Sequence, residues 1–128
     1  DDYAHHPTEI KSVLKSLKTT SNRRKIISVF QPHRYSRLKF LNKDFSSSFK
    51  NSDLVVLCPV YAAGEKIDKK YNPIAFAKSI TKHSNTQVIL INGENDLNNF
   101  FKKNLIANEI VICMGAGSIS KWLREMKF

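Results

Sequence analysis

Four short apolar segments, separated by longer polar stretches, constrain the fold of this chain more than any other feature. They cover residues 26–30 (IISVF), 54–60 (LVVLCPV), 88–91 (VILI) and 110–114 (IVICM). The segments are rich in β-branched residues and do not alternate with polar residues, a pattern typical of strands buried on both faces of a parallel sheet. The sequence therefore predicts four parallel strands.

Helical patterns lie around these strands. Pro7 suits the first position of a helix, and Asn72 followed by Pro73 marks the start of another. Helices are predicted over residues 7–18, 35–49, 97–104 and 118–126, besides the one after Asn72. The alternation predicts an α/β fold, with an open, mostly parallel, Rossmann-like sheet of four to six strands and helices on both faces. Because no strand precedes the first helix, we expect the sheet to begin upstream of Asp1.

Length and composition are those of one globular domain, with 128 residues, 41% of them hydrophobic and 25% charged. No apolar run approaches the roughly 20 residues that span a bilayer, and the polar start resembles no signal peptide. We therefore expect no membrane partner and a cytoplasmic location. Cys58 and Cys113 both lie in apolar runs, which predicts two buried free thiols in a reducing compartment.

The net charge of +10 admits one function of a different class, a stand-alone basic α/β module that binds nucleic acid. Such modules interleave aromatic residues with Lys and Arg on an exposed face. Here most of the eight Phe fall in strands or on apolar helix faces, and the Lys residues are spread along the chain among many Asn and Ile. A·T-rich codons alone would produce that composition, so we expect no nucleic-acid partner.

Polar segments follow each predicted strand, where an open parallel sheet binds its ligands. They are residues 31–37 (QPHRYSR), 61–66 (YAAGEK), 92–95 (NGEN) and 115–118 (GAGS). All four are expected at one edge of the sheet, and the opposite edge has no comparable cluster. The sequence therefore predicts a binding site at this edge.

Each part of that site also has a simpler interpretation. Arg34 and Arg37 are three residues apart at a helix start, so one turn would aim both guanidinium groups at a carboxylate or phosphate. A solvated basic helix cap is the alternative interpretation of the same pair. For the glycine segment, with Gly115, Gly117 and Ser118, an anion contact and a tight packing turn remain equally open. For the segment after the second strand, with Tyr61, Gly64 and Glu65, a simple turn remains open as the alternative to a binding role.

Residues 1–9 (DDYAHHPTE) combine two adjacent histidines with three carboxylates. Adjacent His side chains rarely converge on one metal ion, and no Cys or third His is spaced to complete a tetrahedron. We therefore expect no metal site. Thr8 and Glu9 suit the first turn of a helix, with the carboxylate near its positive end.

Together, these segments resemble the muramyl ligase family. Residues 1–9 look like the motif that opens the third domain of these enzymes, and residues 30–37 (FQPHRYSR) look like the alanine-adding members. Residues 60–65 (VYAAGE) and 114–119 (MGAGSI) match the same members in order and spacing. The resemblance covers essentially the whole chain, although residues 66–71 offer no pattern to compare.

The resemblance implies that residues 1–128 are the C-terminal, amino-acid-binding domain of a peptidoglycan-synthesising ligase. The UDP-sugar domain and the ATP-binding domain of such a ligase are absent from this chain, which has no glycine-rich Lys-Thr loop. The full-length enzyme would use ATP and Mg²⁺ to activate the lactyl carboxylate of UDP-N-acetylmuramate as an acyl phosphate, which the amine of L-alanine attacks. The domain alone is expected to be inactive, to hold no cofactor stably and to contain no catalytic residue.

The resemblance also implies roles for single residues. The L-alanine site would be lined by Tyr3, His5 and His33, and Arg34 with Arg37 would hold the alanine carboxylate. Asp2 would meet the nucleotide ribose. A rival within the family attaches a recovered murein tripeptide to the same sugar nucleotide and has a similar opening motif, but residues 33–37 favour the alanine-adding members.

Overall fold

The structure, a computed structural model, describes residues 2–106 and 108–126; Asp1, the first residue of the opening motif, lies outside the described residues. Four strands form one sheet in the order β3-β2-β1-β4, and every pair is parallel. The strands are β1 Ile26–Phe30, β2 Leu54–Leu57, β3 Gln87–Leu90 and β4 Ile110–Met114. The predicted parallel α/β sheet is therefore confirmed.

The helices of the described residues are α1 Pro7–Thr20, α2 Tyr35–Phe40, α3 Asn42–Ser46, α4 Pro73–Ser84, α5 Glu94–Asn104 and α6 Ile119–Glu125. The N-terminus of α1 has the reciprocal hydrogen bonds of a capping box. Thr8 N–H donates to His6 Nδ1, and His6 N–H donates to the Glu9 carboxylate. The amide oxygen of Asn72 accepts from two N–H groups at the start of α4. Both predicted helix starts are confirmed.

The helices cover both faces of the sheet, as predicted. On one face, α1, α3 and α4 pack against the sheet through Ile10, Leu14, Phe45, Phe76 and Ile80. On the other face, α5 and α6 pack against it through Leu97, Phe101 and Ile119. Because consecutive side chains of a strand point to opposite faces, β1 contributes Phe30 to the first core and Val29 to the second. None of the helices between residues 2 and 126 that the structure describes is both long and apolar enough to cross a bilayer.

Two predicted elements differ markedly in extent. The helix expected over residues 35–49 divides at Leu41, and the second part ends at Ser46 because the hydroxyls of Ser47 and Ser48 bond to the Asp44 carbonyl. The strand expected over residues 54–60 stops at Leu57, two residues before Pro59, which has no N–H to donate.

The third strand was expected to be buried on both faces, and this is wrong. Strand β3 lies at the edge of the sheet, and both of its end residues are exposed, Leu90 by 41%. The N-terminal segment lies at the opposite edge. There Asp2 pairs with Met114, its N–H donates to Cys113 O at 2.8 Å, and its carbonyl accepts from Gly115 N–H. The residues after Asp2 therefore begin beside the carboxyl end of β4.

The two cysteines are free and buried, Cys58 at the end of β2 and Cys113 within β4. Burial raises the pKa of both thiols, that of Cys113 to about 12, so neither is a reactive thiolate near neutral pH. We expect a thiol reagent to react with neither in the folded chain, and with two thiols after denaturation without reductant. Fewer than two thiols in the denatured chain would contradict this.

Candidate functional site

The segments that follow β1 and β2 are joined at the carboxyl edge of the sheet. His33 and Tyr61 form a parallel bridge. Tyr61 N–H donates to Pro32 O, and Arg34 N–H donates to Tyr61 O, each at 2.8 Å. Residues 33–37 and 61–65 thus lie at the same edge, as the site hypothesis required.

The segment after β4 joins the same cluster through a buried amide. The side chain of Gln31 donates to Ser118 Oγ at 2.9 Å and accepts from Ile119 N–H at 3.1 Å. Gln31 is only 2% exposed, so it holds the start of α6 against the end of β1. The sequence interpretation gave Gln31 no role, although a polar side chain directly after a buried strand is a signal for such a contact. The hydroxyl of Ser118, a predicted site residue, is therefore hydrogen-bonded within the protein.

Two glycines let this segment pack closely. A Cβ added to Gly115 would come within 3.1 Å of Gln31 O, and one added to Gly117 would come within 2.8 Å of Tyr61 Cβ. The tight-turn interpretation of the glycine segment therefore describes its contacts in this structure. The segment after β3 stays apart, and its Asn92 N–H bonds to the carboxylate of Asp96 in the first turn of α5. Across the described ranges, no hydrogen bond connects residues 92–95 to the other three segments.

The rings of Tyr3, His5, His33 and Tyr61 contact one another in that order along this edge and form a line of aromatic residues. The ring centroids are 5.2 Å apart for Tyr3 and His5, 5.7 Å for His5 and His33, and 5.6 Å for His33 and Tyr61. The N-terminal end of the line is fixed by its backbone, because the Asp2 carboxylate accepts from Ala4 N–H at 2.8 Å. The structure thus brings together residues from the opening motif and from two strand ends.

His33 is held in one neutral form by Arg37. The Nη1 of Arg37 lies 3.3 Å from His33 Nδ1, and a guanidinium group can only donate. Nδ1 must therefore accept, which leaves the ring proton on Nε2. Partial burial lowers the pKa of His33, and the charges of Arg37, His5 and Arg34 lower it further, while Glu65 opposes them. His33 therefore presents an N–H donor at this edge.

Arg34 does not lie on the helical turn that the sequence suggested. It is the residue before α2, with φ 71° and ψ 133°, because its N–H is paired with Tyr61. A non-glycine residue at such a φ costs about 1–3 kcal/mol, a strain found mainly at functional sites. The i, i+3 helix geometry expected for Arg34 and Arg37 is therefore wrong. Nη1 of Arg37 nevertheless lies 3.3 Å from the ring of His33, and the charge of Arg34 also lowers the pKa of that ring.

Glu65 caps α2 from the neighbouring loop. Its carboxylate accepts from the N–H and the hydroxyl of Ser36, since the side chain of Arg34 provides no cap. These hydrogen bonds lower the pKa of Glu65. Gly64 adopts φ 89° in the turn that precedes it, a conformation that favours glycine. Glu65 therefore fixes the helix that carries Arg37.

The assembled edge can bind an anion. It offers two guanidinium groups and the His33 N–H, and guanidinium groups recognise carboxylates well. Within residues 2–106 and 108–126, no three His, Cys, Asp or Glu side chains are grouped as metal ligands. A cleft of about 350 Å³ between α2, residues 68–72 and the start of α4 is lined by none of the predicted site residues. The predicted site residues therefore lie at the open edge of the sheet and not in this cleft.

Known proteins are similar to this chain in sequence and in architecture. The sequence pattern of the family described as "Mur ligase, glutamate ligase domain" matches residues 1–117. The UDP-N-acetylmuramate–L-alanine ligase of Pelagibacter ubique is 47% identical over 126 residues, which are 98% of this chain and 27% of that protein. This chain thus spans about a quarter of the length of that relative.

Two solved structures share the fold. The UDP-N-acetylmuramate–alanine ligase of Thermotoga maritima superposes with a TM-score of 0.70 at 27% identity, over 97% of this chain and 24% of that one. A murein peptide ligase of Psychrobacter arcticus gives a TM-score of 0.73 at 15% identity, over 98% and 26%, a likeness of fold alone. Because the family pattern covers residues 1–117 of the 128, this chain belongs to the Mur ligase family, as a member of its C-terminal domain.

Proposed function

We propose that this chain is the C-terminal domain of an ATP-dependent ligase that joins L-alanine to UDP-N-acetylmuramate. The observation that carries the proposal is the cluster at one open edge, where Arg37 contacts His33 and the backbone of Arg34 pairs with Tyr61 beside them. The relatives named for this reaction support the choice of substrates. The tripeptide-recycling ligase remains the rival, supported only at the level of fold.

In the proposed reaction, this domain binds and orients the amino acid. The alanine carboxylate lies between Arg34 and Arg37, and His33 Nε2–H donates to one of its oxygens. Tyr3, His5 and Tyr61 surround the rest of the molecule. The amine attacks the activated lactyl carboxyl carbon of the sugar nucleotide, and the tetrahedral intermediate collapses to the amide with loss of phosphate. Holding the amine in place beside the carboxyl carbon converts a bimolecular step into an effectively unimolecular one.

The nucleotide would meet this domain at Asp2. One carboxylate oxygen of Asp2 accepts from Ala4 N–H, and we propose that the other accepts a hydrogen bond from the nucleotide ribose. ATP with Mg²⁺ supplies the phosphoryl group. The described residues contain no group of three His, Cys, Asp or Glu side chains, and Mg²⁺ in such sites is usually held by one or two carboxylates together with the substrate phosphates. We propose that the metal, the triphosphate and the sugar are bound mainly by the other two domains of the full-length enzyme.

The full-length protein offers a direct test of the proposal. It should release phosphate from ATP only when UDP-N-acetylmuramate and L-alanine are both present. Release with the murein tripeptide L-alanyl-γ-D-glutamyl-meso-diaminopimelate but not with L-alanine would identify the recycling ligase instead. Tight, salt-dependent binding of nucleic acid without phosphate release would favour the basic module.

The chain of 128 residues alone is expected to show neither ATPase nor ligase activity. It has no phosphate-cradling loop, so the reactants cannot be held together. The measurement is phosphate release by the purified chain with all three substrates, against the full-length protein as control. Alanine-dependent release by the chain alone would overturn the proposed division of labour among domains.

A further inference from the structure

The two histidines of the edge carry their ring protons on opposite nitrogens. His33 accepts from Arg37 at Nδ1, so its proton is on Nε2. The Nδ1 of His5 lies 2.9 Å from the carbonyl oxygen of Tyr3, and a carbonyl oxygen can only accept. His5 Nδ1 therefore carries the proton, and Nε2 has a free lone pair. Within the described chain, that nitrogen forms no hydrogen bond. The edge thus presents one ring as a donor and the other as a proton acceptor.

His5 is also the ring of the pair that can hold a second proton. The Glu9 carboxylate lies 3.7 Å from its Nδ1 and would face the charged imidazolium. His33 is poorly suited to that role, because a proton on Nδ1 would point at Arg37. The charges of Arg37, His5 and Arg34 all lower the pKa of His33. By its geometry, His5 is therefore the ring of the pair suited to accept a proton, since it has a carboxylate partner as an orienting group.

We propose that His5 is the general base that accepts a proton from the ammonium group of the incoming amino acid. This inference rests on the proposed function. An ammonium nitrogen has no lone pair and cannot attack a carboxyl carbon. One N–H bond breaks, its electron pair stays on the nitrogen, and the proton bonds to Nε2 of His5. The imidazolium then faces Glu9, and the neutral amine becomes the nucleophile.

The dimensions of the site suit this transfer. In an α-amino acid, the nitrogen lies about 2.5 Å from the carboxylate carbon. An amino acid whose carboxylate is held by Arg37 beside His33 therefore has its amine within reach of a ring next to His33. Two rings flank His33, Tyr61 at 5.6 Å and His5 at 5.7 Å between centroids, and of these two only the imidazole of His5 has a basic nitrogen that accepts a proton. A general base must come within about 2.6–3.2 Å of its proton donor, and this order of groups along the edge allows it.

The test is the substitution His5→Gln in the full-length ligase, which retains a polar side chain of similar reach that takes up no proton. With L-alanine near neutral pH, kcat should fall about 100-fold or more, with KM for alanine changed by no more than about threefold. The variant must use alanine that is already deprotonated. Its kcat/KM should therefore rise about tenfold per pH unit while that of the parent stays flat.

A second nucleophile and a matched control complete the experiment. The aminooxy analogue of L-alanine is uncharged near neutral pH, so the variant should use it nearly as well as the parent does. His6→Gln makes the same change one residue away, at an exposed side chain that caps α1, and should leave the kinetics unchanged.

The outcomes separate the two proposals. A parent enzyme without alanine-dependent activity would overturn the proposed function. An active parent whose His5→Gln variant shows a pH-independent loss, or only a raised KM, would overturn the general base and reduce His5 to a binding or structural role.

Discussion

Replacement of Arg37 by alanine in the full-length ligase is expected to lower kcat/KM for L-alanine about 30-fold or more, with little change in KM for ATP. Truncating one partner of a desolvated charge pair costs roughly 2–5 kcal/mol, much of it because the other charge is left unpaired. The substitution also removes the donor that fixes the ring of His33. Arg37→Lys should restore only part of the loss, since a point charge does not reproduce the planar fork of a guanidinium group.

Two controls separate a carboxylate site from a general charge effect. Arg23→Ala removes one positive charge from an exposed residue before β1, at the opposite end of that strand, and should leave the alanine kinetics unchanged. Arg34→Ala should also weaken alanine binding, and the double variant should lose less than the sum of the two single losses if both residues hold one carboxylate. An Arg37→Ala enzyme that stays folded and keeps its alanine KM within about twofold of the parent value would exclude the clamp.

The sheet was predictable because its signal is local. Strands β1 and β4 have the bounds that the apolar runs gave, and the helix starts at Pro7 and Asn72 follow from capping chemistry. The position of a strand in the sheet is not local. The run VILI is as apolar as the others, but β3 lies at the edge, and nothing within that run reveals which side lacks a neighbour.

The candidate site, like the sheet, has features that the sequence predicts and features that it does not. Convergence of the strand ends could be predicted, because the carboxyl ends of parallel strands share an edge. The contacts that fix the site could not, because they join residues far apart in sequence. Gln31 reaches Ser118, and Glu65 caps α2 at Ser36. The backbone of Arg34 likewise follows from its pairing with Tyr61 and not from its own residue type.

Gly117→Ala is expected to destabilise the folded chain by roughly 1–3 kcal/mol, because the added Cβ overlaps the side chain of Tyr61. The new atom would lie 2.8 Å from Tyr61 Cβ and 2.7 Å from Cδ1, too close to the base of the side chain for a small rotation to relieve. The ring that must move is the one stacked on His33, so kcat/KM for alanine should fall as well. Urea unfolding of the chain and alanine kinetics of the full-length ligase measure the two effects.

A double-mutant cycle identifies the cause. In a Tyr61→Ala background the ring atoms are gone and only the contact with Cβ remains, so the added methyl group of Gly117→Ala should cost less, with a coupling energy of about 0.5–3 kcal/mol between the two positions. Gly93→Ala is the matched control, because Gly93 has an extended backbone and nothing within 4 Å of an added Cβ; its effect should stay within about 1 kcal/mol. If Gly117→Ala costs the same with and without the Tyr61 ring, the glycine serves the turn itself, and the stack on His33 does not depend on it.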